Sequence, residues 1–174
     1  TSRSASEKKF KGGLVDTSDM SIKYHTATHL LHVALKRVLG NHVEQKGSNI
    51  TPDRLRFDFT HNEKVTDEQK KEIERIINAA IEKNYPVTCL EMSVEEAKKQ
   101  GAIGLFGDTY GDTVNVYVVG DPKEKAEGDP TAETFSKEIC GGPHVERTGL
   151  LGHFRIKKEE SSSAGIRRIK AILE

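Results

Sequence analysis

The sequence has no tryptophan, two cysteines, two methionines and only 6% aromatic residues among its 174. Two cysteines cannot build a disulfide framework, so an intracellular, reducing setting is expected. No apolar run approaches the roughly 20 residues of a bilayer span, and no signal-type apolar segment is visible. An excess of either charge is also missing: 27 Lys plus Arg balance 27 Asp plus Glu. A neutral chain does not hold nucleic acid by bulk attraction, although a local basic face stays open to it. Neither internal repeats nor low-complexity tracts occur. What is there is a polar chain, 34% hydrophobic and 31% charged, of a length that suits one compact domain. The first residue is Thr1, and Thr1 to Lys11 is rich in Ser and Lys. The expectation is therefore a fragment or a processed product, with residues 1–21 as tail, linker and upstream segment and 22–174 as the domain.

Apolar spacing outlines the elements. Leu30, Leu31, Ala34, Leu35, Val38 and Leu39 recur at helical period and predict a helix over 21–39, stopped by Gly40-Asn41. Residues 42–49 read as a weak strand. Leu55-Arg56-Phe57-Asp58-Phe59 alternates as a half-buried strand does, and Pro52-Asp53 marks a hairpin turn between the two. Thr66 with Gln69 predicts a capping box ahead of a second helix, whose buried stripe is Ile73, Ile76, Ile77, Ala80 and Ile81. Asn84-Tyr85-Pro86 ends it. Residues 87–92 read as a strand in which Cys89 is a buried, inert thiol. A short helix follows over 93–100, with Ser93 and Glu96 as a second capping box. Glycines 101, 104, 107 and 111 mark a loop that allows close backbone approach. Residues 113–119, 154–158 and 166–173 are strands, and 121–133 a polar loop. Irregular alternation of helices and hairpins predicts an α+β class, a largely antiparallel sheet packed with helices.

Two short motifs carry chemistry. His25-Thr26-Ala27-Thr28-His29 places two imidazoles on one helical face, with Cβ atoms about 6 Å apart. Cys140-Gly141-Gly142-Pro143-His144 allows a turn tight enough to aim a thiolate and an imidazole at one point. Together His25, His29, Cys140 and His144 supply three nitrogens and one sulfur, a set that zinc accepts. Thr26 occupies the position where a metalloprotease of the H-E-x-x-H type needs glutamate, so that chemistry is excluded. A Cys140–His144 nucleophile–base pair is the alternative, although no third, orienting group is evident. His32 is read as a core-edge residue, and His42, His61 and His153 as surface or hydrogen-bonded ones.

His25 to His32, Gln45-Lys46-Gly47-Ser48, Leu55 to Phe59, Gly101 to Gly107, Cys140 to His144 and Ala164 to Ile169 follow one another in a familiar order. The series resembles the editing domain of alanyl-tRNA synthetase, and Phe10 to Asp16 resembles the segment just upstream of it. Free-standing alanyl-tRNA deacylases and the threonyl-tRNA synthetase editing domain share the His and Cys motifs. Pro143 stands where many relatives have Thr.

The resemblance implies a cytoplasmic hydrolase that deacylates tRNA(Ala) wrongly charged with serine or glycine. It makes His25, His29, Cys140 and His144 the zinc site and Gln45 a pocket residue. Ser48 and Thr28 are further candidates to touch the substrate. Nothing in the chain resembles the parent enzyme's ATP-dependent aminoacylation domain, so tRNA delivery falls to the rest of the synthetase. Arg167 and Arg168, with Lys157, Lys158 and Lys170, are candidates to meet RNA phosphates. The bland alternative is a strand face neutralised by Glu159, Glu160 and Glu174. A zinc-stabilised RNA-binding module without catalysis is the rival from another class, because four protein ligands close a tetrahedral site.

Overall fold

The computed structural model describes residues 19–102, 112–120 and 135–174. Helix α1 (Asp19–Leu39) is followed by strands β1 (Gln45–Thr51) and β2 (Arg54–Thr60), helix α2 (Asp67–Lys83), strand β3 (Val87–Ser93) and helix α3 (Val94–Lys99). Strands β4 (Thr113–Val119) and β5 (Ser136–Ile139), a 3-10 turn (Thr148–Leu151), and strands β6 (Phe154–Ser163) and β7 (Ile166–Leu173) complete the described chain. Two antiparallel sheets result, one in the order β1-β2-β7-β6 and one in the order β3-β4-β5. The α+β class is as expected. The glycine-rich loop and the polar loop lie outside the described residues, as does the tail up to residue 18.

Helix α1 organises the molecule. A single apolar stripe was expected, yet every residue from Tyr24 to Leu35 is buried. The physical reason is its position: α1 packs on α2, on β1 and β2 of one sheet, and on β5 of the other. A helix covered on several sides hides its polar residues as well, and His25, Thr26, Thr28, His29 and His32 lie inside. The main core gathers Leu30, Leu31 and Leu35 against Phe57, Phe59, Ile73, Ile77, Phe154 and Ile169. Tyr24 anchors the helix at its start. Its hydroxyl donates to the Asp53 carbonyl at 3.0 Å and accepts from the Leu173 amide at 3.1 Å.

The remaining elements follow local chemistry. Pro52-Asp53 turns β1 into β2, whose register pairs Ser48 with Phe57. Thr66 and Gln69 form the reciprocal capping box on α2, and Asn84 closes that helix in the left-handed region at φ 53°. On α3 only half the expected box forms. Ser93 caps the Glu96 amide, while the Glu96 carboxylate accepts from Gln100 instead. Edge strand β6 is shielded by α2: Asn78 bonds both backbone groups of Phe154, and Glu74 accepts from the Ile156 amide at 2.8 Å. A smaller core of Ala97, Val114, Val116 and Val118 joins α3 to the second sheet. Cys89 departs from expectation: it is exposed. Alternation along β3 sends Leu90 and Met92 into the small core and Cys89 to the opposite face, across from Tyr117 on β4. Among the described residues, no helix is long and apolar enough to cross a membrane.

Candidate metal centre

The site forms where α1 meets the segment after β5. Strand β5 runs only from Ser136 to Ile139, and its polar sequence carried no strand signal. It exists because β4 offers a partner: Val116 pairs with Ile139, and the Cys140 amide extends the ladder to the Asn115 carbonyl at 3.1 Å. The chain then turns through Gly141 and Gly142. Gly142 lies so close to the His25 ring that a Cβ there would sit 2.4 Å from Cε1. Only glycine lets the loop approach the helix this far. Beyond it, the Val145 amide donates to Thr26 Oγ1 at 3.1 Å, which sews the loop to α1.

Two motifs more than a hundred residues apart thus share one point. The ligand atoms of His25, His29, Cys140 and His144 all lie within 4.8 Å of one another. Tetrahedral zinc with bonds of about 2.0–2.3 Å spaces its donors about 3.3–3.8 Å apart, so small rotations would close the set. Rings of His25 and His144 stack at 4.3 Å, and His29 meets both edge-on. Cys140 Sγ lies 3.4 Å from His25 Nε2 and accepts from the Gly142 amide. His144 Nε2 is buried without any hydrogen-bond partner. A buried nitrogen lone pair left unpaired is costly, and a metal ion is a partner that fits it.

The electrostatics agree with that use. Burial lowers the pKa of His25 and holds His29 and His144 well below the ordinary histidine range. All three are therefore neutral imidazoles at pH 7, the form that ligates metal. His29 Nδ1 lies 3.2 Å from a Glu138 carboxylate oxygen, so a neutral ring stands beside a carboxylate. Burial pushes the Cys140 thiol up to about 12 against the lowering effect of the Gly142 amide, with Glu138 adding to the rise. Such a thiol stays protonated at neutral pH, which suits a nucleophile badly. Its close imidazole contact, moreover, is His25 rather than His144. A bound divalent cation reverses this logic, because a coordinating thiol is deprotonated.

Other sequence candidates fall at varying places. Gln45 and Ser48, three apart, would ordinarily face opposite ways on a strand. A bulge between Gln45 and Gly47 sets Gln45 against Phe59 and Ser48 against Phe57, on one face, and Gln45 Nε2 donates to Ser48 Oγ at 3.3 Å. Thr28 is buried, and its hydroxyl donates to the Tyr24 carbonyl within α1. Arg167 and Arg168 are split by strand alternation. Arg167 binds the Glu159 carboxylate through two nitrogens, and Arg168 does the same with Asp58. Lys158 and Lys170 both approach Glu160. His42 and His61 are surface residues bonded to each other at 2.8 Å. Three neighbours of the site escaped the sequence reading: Glu138, Thr26 as a hydrogen-bonding group, and Tyr117, whose ring lies 4.2 Å from that of His144. Glu138, two residues before Cys140, was the one with a readable signal.

Residues 114–170 match the family described as the threonyl and alanyl tRNA synthetase second additional domain. The chain is 59% identical over 173 residues to an alanine–tRNA ligase of Treponema denticola, covering 99% of this chain and 27% of that protein. It is 53% identical over 173 residues to that of Borreliella burgdorferi, again at 99% and 27% coverage. Against that of Thermus thermophilus it is 51% identical over 148 residues, at 85% and 16% coverage. The chain is a relative of a segment of the alanine–tRNA ligases. The resemblance read from the motifs is borne out. The chain spans about a quarter of the length of the Treponema and Borreliella ligases that it matches.

Proposed function

We propose that this chain is the hydrolytic editing domain of an alanine–tRNA ligase, deacylating tRNA(Ala) mischarged with serine or glycine in the cytoplasm. The observation that carries the reading is the convergence of His25, His29, Cys140 and His144 in a chain similar to these ligases. The ion we assign to the centre is zinc, for which three imidazoles and one thiol are a fitting donor set. Bound there, zinc would supply the electrophilic stabilisation that ester hydrolysis needs.

The protein's own share is binding and orientation. His25 Nε2 lies beside Cys140 Sγ, His144 Nε2 is buried without a partner, and the Cys140 loop is held on α1 by the Val145–Thr26 bond. Gln45, Ser48 and Thr28 are the groups proposed to meet the serine hydroxyl. A polar pocket built for that hydroxyl leaves its own groups unpaired when alanine enters, and so discriminates strongly against the correct product. Arg167 and Arg168 are proposed to meet the acceptor-end phosphates, an arrangement that requires exchange of their present carboxylate partners. The rest of the ligase delivers the tRNA end, which accounts for a domain without net charge.

The test is release of serine from Ser-tRNA(Ala) by the purified chain at high enzyme concentration, with and without a chelator. Release that the chelator abolishes supports the reading. No release refutes it for this chain. One observation favours a second reading: four protein ligands close the coordination shell, as structural zinc sites do. Tight tRNA binding with a bound zinc and no hydrolysis would identify such a binding module.

A further inference from the structure

An imidazole ligates metal through one nitrogen, and the bond made by its other nitrogen sets which one is free. In His25, Nδ1 lies 2.8 Å from the Pro143 carbonyl, which can only accept. Nδ1 therefore carries the hydrogen and Nε2 the lone pair. His29 Nδ1 lies 3.2 Å from a Glu138 carboxylate oxygen, a neighbour that favours the hydrogen on that same nitrogen. His144 Nδ1 lies 2.9 Å from Thr26 Oγ1, a group able to donate or accept. Here the neighbours decide. The Thr26 hydroxyl has the Ile22 carbonyl as an acceptor at 3.4 Å, and its oxygen also takes the Val145 amide. With the hydroxyl turned to Ile22, the remaining lone pair is left for a hydrogen on His144 Nδ1. His144 Nε2 then keeps a free pair, and it is the buried atom that has no other partner.

We infer that Glu138 and Thr26 are positioning residues that preset His29 and His144 in the Nε2-ligating tautomer before any metal arrives. Neither residue belongs to the candidate donor set. Glu138 is itself buried, and its second oxygen faces His32 Nδ1 at 3.6 Å. His32, which the sequence places one turn beyond His29, thus packs behind the carboxylate rather than joining the ligands. Thr26 has a second task, because its bond to Val145 holds the loop that carries His144. The helix therefore contributes two ligands and, from the residue between them, the device that orients a third.

This inference rests on the metal-site reading, and its experiment separates the two. Zinc affinity is measured by competition with a chromophoric chelator for the full 174-residue chain and for Thr26→Val, Thr26→Ser, Glu138→Ala and Glu138→Gln. The tautomer of each histidine is read by nitrogen-15 NMR on the metal-free wild type. Thr26→Val and Glu138→Ala are expected to weaken zinc by about 10–100-fold, the usual cost of losing such a partner. Thr26→Ser is expected to restore affinity, which a purely packing role for the threonine methyl would not allow. Glu138→Gln, which keeps an accepting oxygen, should fall between wild type and Glu138→Ala. Metal-free NMR should show the hydrogen on Nδ1 of His29 and His144, a readout that stands even where a variant fails to fold. Hydrogens on Nε2 at either residue, or affinities within twofold of wild type in both Thr26→Val and Glu138→Ala, would overturn the inference. A wild type with the expected tautomers but no zinc uptake would support preset rings and sink the proposed zinc centre.

Discussion

Gly142→Ala is the sharpest single perturbation of the centre. An added Cβ would stand 2.4 Å from His25 Cε1, 3.0 Å from Nδ1 and 3.4 Å from Nε2. Carbon atoms in ordinary contact are about 3.5–4.0 Å apart, so the ring or the loop must yield by about 1 Å. The ring has little room to move. It stacks on His144 at 4.3 Å, and its Nδ1 is held by the Pro143 carbonyl at 2.8 Å. Overpacking of this kind costs about 1–3 kcal/mol of folding stability. Metal sites tolerate about 0.2 Å in ligand distance, so a shift several times larger should weaken zinc by at least tenfold. Thermal unfolding of the metal-free chain and chelator competition measure the two effects separately. Gly47→Ala is the matched control, because a Cβ there meets the Asp58 side chain at an ordinary 3.5 Å. A Gly142→Ala protein with unchanged melting temperature and unchanged zinc affinity would refute the claim that this glycine is required by the approach of loop to helix.

Other expectations follow from named contacts. Cys140→Ala removes the only sulfur of the donor set; it should abolish serine release and lower zinc affinity, and full activity in that variant would remove Cys140 from the site. Dialysis against a strong chelator should stop hydrolysis and zinc should restore it, whereas activity in a demonstrably metal-free chain would overturn the zinc assignment. Burial raises the Glu159 pKa, but the Arg167 guanidinium and the Val65 amide outweigh it and hold the carboxyl below its ordinary value of 4.5. A depressed acid stabilises the fold above its ordinary pKa and loses that contribution as pH falls through the lower, folded value. Glu159→Gln should therefore cost about 1–3 kcal/mol at pH 7, with the gap to wild type closing in denaturant titrations as pH falls through the carboxyl's depressed folded value; a gap independent of pH would refute the assignment. Thr148 is fully buried, donates to the Ala80 carbonyl and accepts from the Tyr85 amide. Thr148→Val strands both groups and should destabilise by about 2 kcal/mol, measured by the denaturation midpoint.

Much of the molecule could be read from local patterns, because local patterns are what build those parts. The Thr66-Gln69 box, the Pro52-Asp53 turn and the alternating Leu55-Arg56-Phe57 strand are set by residues within a few positions of one another. The four donors were legible for the same reason: i, i+4 spacing on a helix fixes a shared face, and paired glycines permit a tight turn. What sequence missed depends on neighbours from elsewhere. Cys89 looks apolar in context, but which face of β3 is covered depends on α3 and β4, so it came out exposed. Strand β5 has no signal of its own and forms only because β4 presents a free edge.

Taken alone, the sequence indicated most element types, the α+β class and the four candidate donors, since each follows from spacing along one segment. Tertiary structure decided that the donors meet, because α1 is enclosed between two sheets and the Gly142 turn can press against His25. It also decided which nitrogen of each imidazole is free. That choice belongs to Pro143, Glu138 and Thr26, and for each ring the deciding atom comes from a different segment of the chain.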